Sequence, residues 1–222
     1  MLTSTKDLTP KDIRRVARRT VEALKSCGYS SCLFGSAACH VWGMTYRTPK
    51  DIDIIVLTND DPEVIKRKLA ERNDRFIRSP SENPWMSHHL LHYAVSFQIP
   101  SIFCKVDILI PGKLDIPEMD ESRREYPFQY NIPVIPFLPL LLLKLRGWVD
   151  HCNSRRDDFQ AKIPHDVGDI KCLLNNLNDN DHLRNHRWLP SSLIRNSARR
   201  IRAFIQEFPD TAASWRSIGF WV

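Results

Sequence analysis

The sequence predicts an α+β protein, with a strand-bearing first part and a helical C-terminal subdomain. Three observations carry this. Short β-branched or apolar runs at 30–34, 51–57, 90–98 and 102–110 are bounded by turn residues and read as strands. Apolar residues stepping by three and four at 138–151, 164–177 and 191–208 read as helices. Between them, 111–135 holds four prolines (Pro111, Pro117, Pro127 and Pro133) and mixed charge, the composition of an irregular connector. The expected division is a core over 1–130 and a helical subdomain over 131–222.

Taken in order, the first helix spans about 10–25. Thr9 and Asp12 have the spacing of a capping box, and Pro10 sits where its missing N–H costs nothing. Ile13, Val16, Ala17, Val21 and Leu24 share one face, and Lys11, Arg14, Arg15, Arg18 and Arg19 another. That basic stripe is a candidate for phosphate contact, but a solvated face is the expected reading. Cys27-Gly28 ends the helix. The strand at 30–34 stops at Gly35-Ser36, and a short helix over 37–42 follows. After a loop at 43–50 comes the strand 51–57, then an amphipathic helix over 61–73 with Val64, Ile65, Leu69 and Ala70 inward. Residues 78–87 read as a loop. The short link 99–101 favours a hairpin between the strands 90–98 and 102–110. In the helical part, Pro164 falls in a first turn, and 211–220 holds a last short helix.

The 222 residues are 42% hydrophobic and 26% charged, near globular averages, which excludes wholesale disorder. Lys plus Arg total 32 against 26 Asp plus Glu, a net +6 that permits anionic partners without demanding them. The six cysteines form no C-x-x-C pair, and residues 1–12 contain no apolar signal core, so a reduced, cytoplasmic protein is expected. The longest apolar run, 134–143, is about half a membrane span and is broken by Pro136 and Pro139, so no membrane association is expected.

The chemistry concentrates in Leu33-Phe34-Gly35-Ser36, a spacer of fourteen residues, and Asp51-Ile52-Asp53. On a strand, Asp51 and Asp53 project from the same face. Like charges so close need a counter-charge, and hard divalent cations, Mg²⁺ or Mn²⁺, suit oxygen ligands. Alternatively, Asp51 caps the loop and Asp53 pairs with Arg47 or Lys50. Gly35-Ser36 lies where a buried strand meets a helix start, with outward N–H groups suited to an anion; an ordinary tight turn with Ser36 as cap is the plainer reading. Asp107 stands alone in the apolar strand 102–110, where an unpaired buried carboxylate is costly. It shares a metal with Asp51 and Asp53, or it faces water at a sheet edge.

Together, Phe34-Gly35-Ser36, Asp51-Ile52-Asp53 and Asp107 resemble the signature of the nucleotidyltransferase superfamily typified by DNA polymerase beta. The resemblance covers roughly 29–110, with a spacer about one residue longer than usual. It implies a mixed β-sheet flanked by helices, with Asp51, Asp53 and Asp107 as catalytic metal ligands and Gly35 and Ser36 on the triphosphate. A second resemblance lies in the helical part. Lys144 on an apolar helix, with Gly147, and Asp166 and Asp169 at i, i+3 on the next helix, look like the AbiEii toxin family and its uncharacterised fungal relatives. This implies nucleotide binding by Lys144, Asp166 and Asp169. His151 and His165 stand where that family carries arginines, leaving Lys162 and Arg155 or Arg156 as candidate replacement cations. By itself, Lys144 equally reads as a lysine snorkelling out of a core helix.

The resulting expectation is a metal-dependent nucleotidyltransferase moving NMP from an NTP to a hydroxyl of RNA, protein or a small molecule. The alternatives are an inactive nucleotide- or RNA-binding or protein-interaction module, and a different phosphoryl chemistry on the same scaffold. The catalytic reading requires Asp107 to share a sheet face with Asp51 and Asp53 and to converge with them. Three further features are assigned plain roles. His88, His89 and His92 lack the spacing of a zinc site. Trp42 and Trp148 read as core. Arg195, Arg199 and Arg202 form a basic stripe on the last long helix, by default a solvated face.

Overall fold

A computed structural model describes residues 7–44, 46–81, 88–98, 101–127 and 130–221. The chain forms two compact units, 1–135 and 136–222. In the first, α1 (Pro10–Ser26) is followed by β1 (Ser31–Phe34), α2 (Gly35–Val41), β2 (Asp51–Val56), α3 (Pro62–Arg72), β3 (Phe76–Pro80), β4 (His89–Ser96) and β5 (Ile102–Leu109). The five strands form one mixed sheet in the order β1-β2-β5-β4-β3. The central pair β2–β5 is parallel, and the other pairings are antiparallel. With helices flanking the sheet, the class is α+β.

The local chemistry explains the start. Asp12 N–H donates to Thr9 Oγ1 at 3.2 Å and Thr9 N–H to Asp12 Oδ2 at 3.1 Å, completing the capping box. Ile13, Val16, Ala17, Thr20 and Leu24 are buried. The basic stripe of α1 is largely engaged locally. Arg15 pairs with Asp12 and Arg19 with Glu22, both at 2.9 Å, while Arg14 lies 3.1 Å from His40 Nε2.

One strand departs from the sequence expectation. Part of the predicted 78–87 loop belongs to β3, an edge strand paired along its length with β4. Its Arg78-Ser79-Pro80 end looks like a loop because an edge strand tolerates polar residues and a terminal proline. Residues 82–87 lie outside the described residues, as do Ile99 and Pro100 of the hairpin link; the flanking strands β4 and β5 do pair antiparallel. The proline-rich connector is irregular but not idle. Leu33 N–H donates to Pro133 C=O at 2.8 Å and Ile135 N–H to Leu33 C=O at 3.0 Å, so the connector covers the free edge of β1.

Arg78 also closes a polar cluster at the start of α3. Glu63 accepts from Lys66 at 2.8 Å, lies 2.9 Å from His89 Nδ1, and meets Arg78 at 3.3 Å. Burial pushes the Glu63 carboxyl up, but hydrogen bonds from Lys66 and His89 outweigh it and hold it at about 2, below its ordinary 4.5. A depressed carboxyl stabilises the fold above its unfolded value and loses that contribution as pH falls through its folded value. Glu63→Gln is therefore expected to lower stability by about 1–2 kcal/mol at neutral pH, after allowance for solvent screening. Denaturant melts should show the gap from wild type closing as pH falls from 4.5 towards 2.

The second unit contains α4 (Phe137–Cys152), α5 (Asp157–Gln160), α6 (Ile163–Asn175), α7 (Ser191–Glu207) and α8 (Ala212–Ser217). The short α5, absent from the sequence expectation, is only four residues long. Trp148 is buried edge-on to Phe204, with ring centroids 4.9 Å apart. All six cysteines are free thiols, and burial pushes Cys32 up to about 12. Among the described residues no helix is long and apolar enough to cross a membrane.

Candidate active site

The turn from β1 into α2 builds the first half of the site. Gly35 has φ +63°, a left-handed conformation that strains other residues. A Cβ placed there would lie 2.0 Å from Asp53 Oδ2 and 2.8 Å from Asp53 Cγ. Glycine is thus required twice over, by backbone conformation and by the carboxylate pressed against it. Phe34 and Asp53 are register partners across the β1–β2 pair, which brings the glycine turn and the acid together. Next in the chain, Ser36 Oγ accepts a 2.6 Å hydrogen bond from the Arg47 guanidinium, which also lies over the Tyr46 ring at 5.9 Å.

The parallel pairing of β2 with β5 builds the second half. Asp53 is the register partner of Asp107, and Asp51 of Lys105. Register partners project from the same face, as do residues two apart on one strand. Asp51, Asp53, Lys105 and Asp107 therefore share one sheet face, each partly exposed, while Ile52, Ile54, Val106 and Ile108 pack on the other. On β4, His92 is the register partner of Lys105 and extends the polar row.

Lys105 was not singled out by the sequence, yet its Nζ donates to Asp107 Oδ2 at 2.7 Å. Burial lowers the affinity of Lys105 for its proton. The charge and hydrogen bond of Asp107, with Asp51 and Asp53 beyond, outweigh burial and hold it above the usual lysine value. The ammonium stands among the carboxylates as a cation. Among the described residues no three His, Cys, Asp or Glu side chains gather as a metal cluster; of the two conditions for the catalytic reading, the structure gives Asp51, Asp53 and Asp107 the shared face. The donor chemistry still fits a hard divalent ion, because three carboxylates on one face supply only oxygen ligands and an excess of negative charge.

His89, of the discounted histidine group, belongs to the Glu63 cluster. In the second unit, Lys144 is not a snorkelling lysine. It is buried and donates to the equally buried Asp169 at 2.7 Å. Asp166, also buried, lies 2.5 Å from His151 Nδ1, so the histidine in the arginine position faces this acid. Of the candidate replacement cations, Arg156 pairs with Asp158 at 2.7 Å, and both Arg156 and Lys162 lie over the Phe159 ring.

No protein-family model matches the chain, and no curated protein matches it. Solved structures do. An antigenic nucleotidyltransferase-like protein from Paracoccidioides brasiliensis is 13% identical, with 95% of each chain covered and a TM-score of 0.65. A putative nucleotidyltransferase from Helicobacter pylori is 12% identical, covering 95% of this chain and 84% of that one, with a TM-score of 0.54. JHP933 from Helicobacter pylori is also 12% identical, covering 96% and 82%, with a TM-score of 0.52. At these identities the likeness speaks for architecture: the chain has the fold of nucleotidyltransferase-like proteins.

Proposed function

We propose that the protein is a metal-dependent nucleotidyltransferase that transfers NMP from an NTP to a hydroxyl acceptor and releases pyrophosphate. The observation that carries this is that Asp51, Asp53 and Asp107 share one face beside the Gly35 turn, where an added Cβ would meet Asp53. Asp51, Asp53 and Asp107 would hold Mg²⁺ or Mn²⁺, which supplies Lewis-acid stabilisation of the charge on the attacking and leaving oxygens. Gly35 and Ser36 would hold the triphosphate's β,γ end through the backbone N–H groups of the turn, Gly35 making room for Asp53 and Ser36 adding a hydroxyl that Arg47 orients. Asp107 takes the proton of the acceptor hydroxyl. The acceptor oxygen bonds to the α-phosphorus, the bond from that phosphorus to the β-phosphate bridging oxygen breaks, and pyrophosphate leaves with the electron pair. Lys105, on the same face, is placed to meet phosphate charge once Asp107 releases it.

Assignment of Lys144, Asp166 and Asp169 to the nucleotide rests on their resemblance to the AbiEii toxin family, as does the suggestion of RNA or protein as acceptor. The Lys105–Asp107 ion pair favours a second reading. In that reading Asp107 is held by Lys105 rather than by a metal, and the fold serves as a nucleotide- or RNA-binding or protein-interaction module.

Transfer of label separates the two. Each NTP, labelled at the α-phosphate, is incubated with the protein, Mg²⁺ or Mn²⁺, and a mixture of total RNA and protein. Label should pass to an acceptor, and Asp53→Ala should abolish the transfer. Nucleotide binding without transfer from any NTP contradicts the enzyme and favours the binding module.

A further inference from the structure

A separate feature of the second unit concerns its C-terminal end. From His182 to Gln206 the sequence carries six arginines and no Asp or Glu. The turns at 182–189 and the start of α7 place three of these, Arg184, Arg187 and Arg195, around one groove of about 560 Å³. None of the three forms an ion pair among the described residues. Leu183 and Ile194 give the groove an apolar lining, and the Trp221 indole stands beside it, 80% exposed. The wall is built rather than incidental. Leu183 N–H donates to Ile218 C=O at 2.9 Å, pinning the C-terminal segment to the turn. Gly219, at φ +96°, lets the His182 ring pack where a Cβ would lie 2.8 Å from it. Outward from the groove, Arg199 and Arg202 continue the charge along the exposed side of α7, opposite buried Leu193, Ile201 and Phe204.

We propose that this groove binds single-stranded nucleic acid. The chemistry is complementary on two counts. Unpaired guanidiniums match a phosphate backbone, donating in a planar fork. An exposed indole beside an apolar slot offers a stacking surface to an unpaired base, which a duplex keeps hidden. An acidic peptide would meet the arginines but leave the indole without a planar partner. The binding is independent of the acid face.

The test is fluorescence anisotropy of the full chain with a fluorescein-labelled 15-mer oligouridine across a salt series. Wild type is expected to bind saturably. Trp221→Ala should weaken binding roughly tenfold. The triple variant Arg184→Gln, Arg187→Gln, Arg195→Gln should make the log–log salt dependence shallower by about two. The corresponding triple lysine variant should keep the wild-type slope, which a merely structural role would not produce. A duplex of the same length should bind more weakly. Absence of binding by the wild type, indifference to both variant sets, or preference for phosphatidylserine vesicles over the oligonucleotide would overturn the proposal. The readout needs no NTP and no metal, so its outcome and that of the transferase reading are distinguishable.

Discussion

Gly35→Ala is expected to abolish nucleotidyl transfer while leaving most of the chain folded. The added methyl would lie 2.0 Å from Asp53 Oδ2, so either the strand end or the acid must move. Because Asp53 is paired in register with both Phe34 and Asp107, the displacement passes into the acid face. A shift of about 1 Å in such a constellation costs on the order of 10²-fold in rate. The left-handed backbone at φ +63° adds about 1–2 kcal/mol of strain, read as a loss of stability in denaturant melts. Activity within a few-fold of wild type would show that Asp53 does not need to lie against this turn.

The second large effect concerns the interior of the helical unit. Lys144 and Asp169 are buried together on α4 and α6. Removing the acid takes from the buried Lys144 ammonium its 2.7 Å partner, and breaking a buried ion pair from one side costs about 3–5 kcal/mol. Asp169→Ala is therefore expected to lower the unfolding midpoint sharply. Lys144→Met combined with Asp169→Leu should recover most of the loss, because replacing both charges with apolar residues of similar size is often neutral. If the double variant retains stability but loses transfer, the pair is held for nucleotide rather than for folding. Equal stability of wild type and Asp169→Ala would contradict the buried ion pair.

These two sites also show what could be read from the chain. The strand acids are legible because Asp51, Asp53 and Asp107 interrupt runs that are otherwise apolar, and because period two puts neighbours on one face. The capping box of α1 is legible because its four residues are contiguous. Register is not local. Nothing in the residues of β5 announces that it lies parallel to β2 with Asp107 beside Asp53, or that Lys105 would be carried onto the same face. The bond from Arg47 to Ser36 spans eleven residues, across α2 and the loop after it, and that from Lys144 to Asp169 spans twenty-five residues between two helices. Both depend on packing rather than pattern. β3 escaped because an exposed edge strand is free to carry Arg78, Ser79 and Pro80, residues that also compose loops.

The proposed chemistry depends on Asp51, Asp53 and Asp107 forming one divalent-ion site. It is tested most directly by counting bound Mn²⁺ by electron paramagnetic resonance in the presence of a non-hydrolysable NTP analogue. Bound ion is expected in the wild type and should be lost in both Asp53→Asn and Asp107→Asn, with folding unchanged by circular dichroism. Undiminished Mn²⁺ binding in those two variants would contradict it.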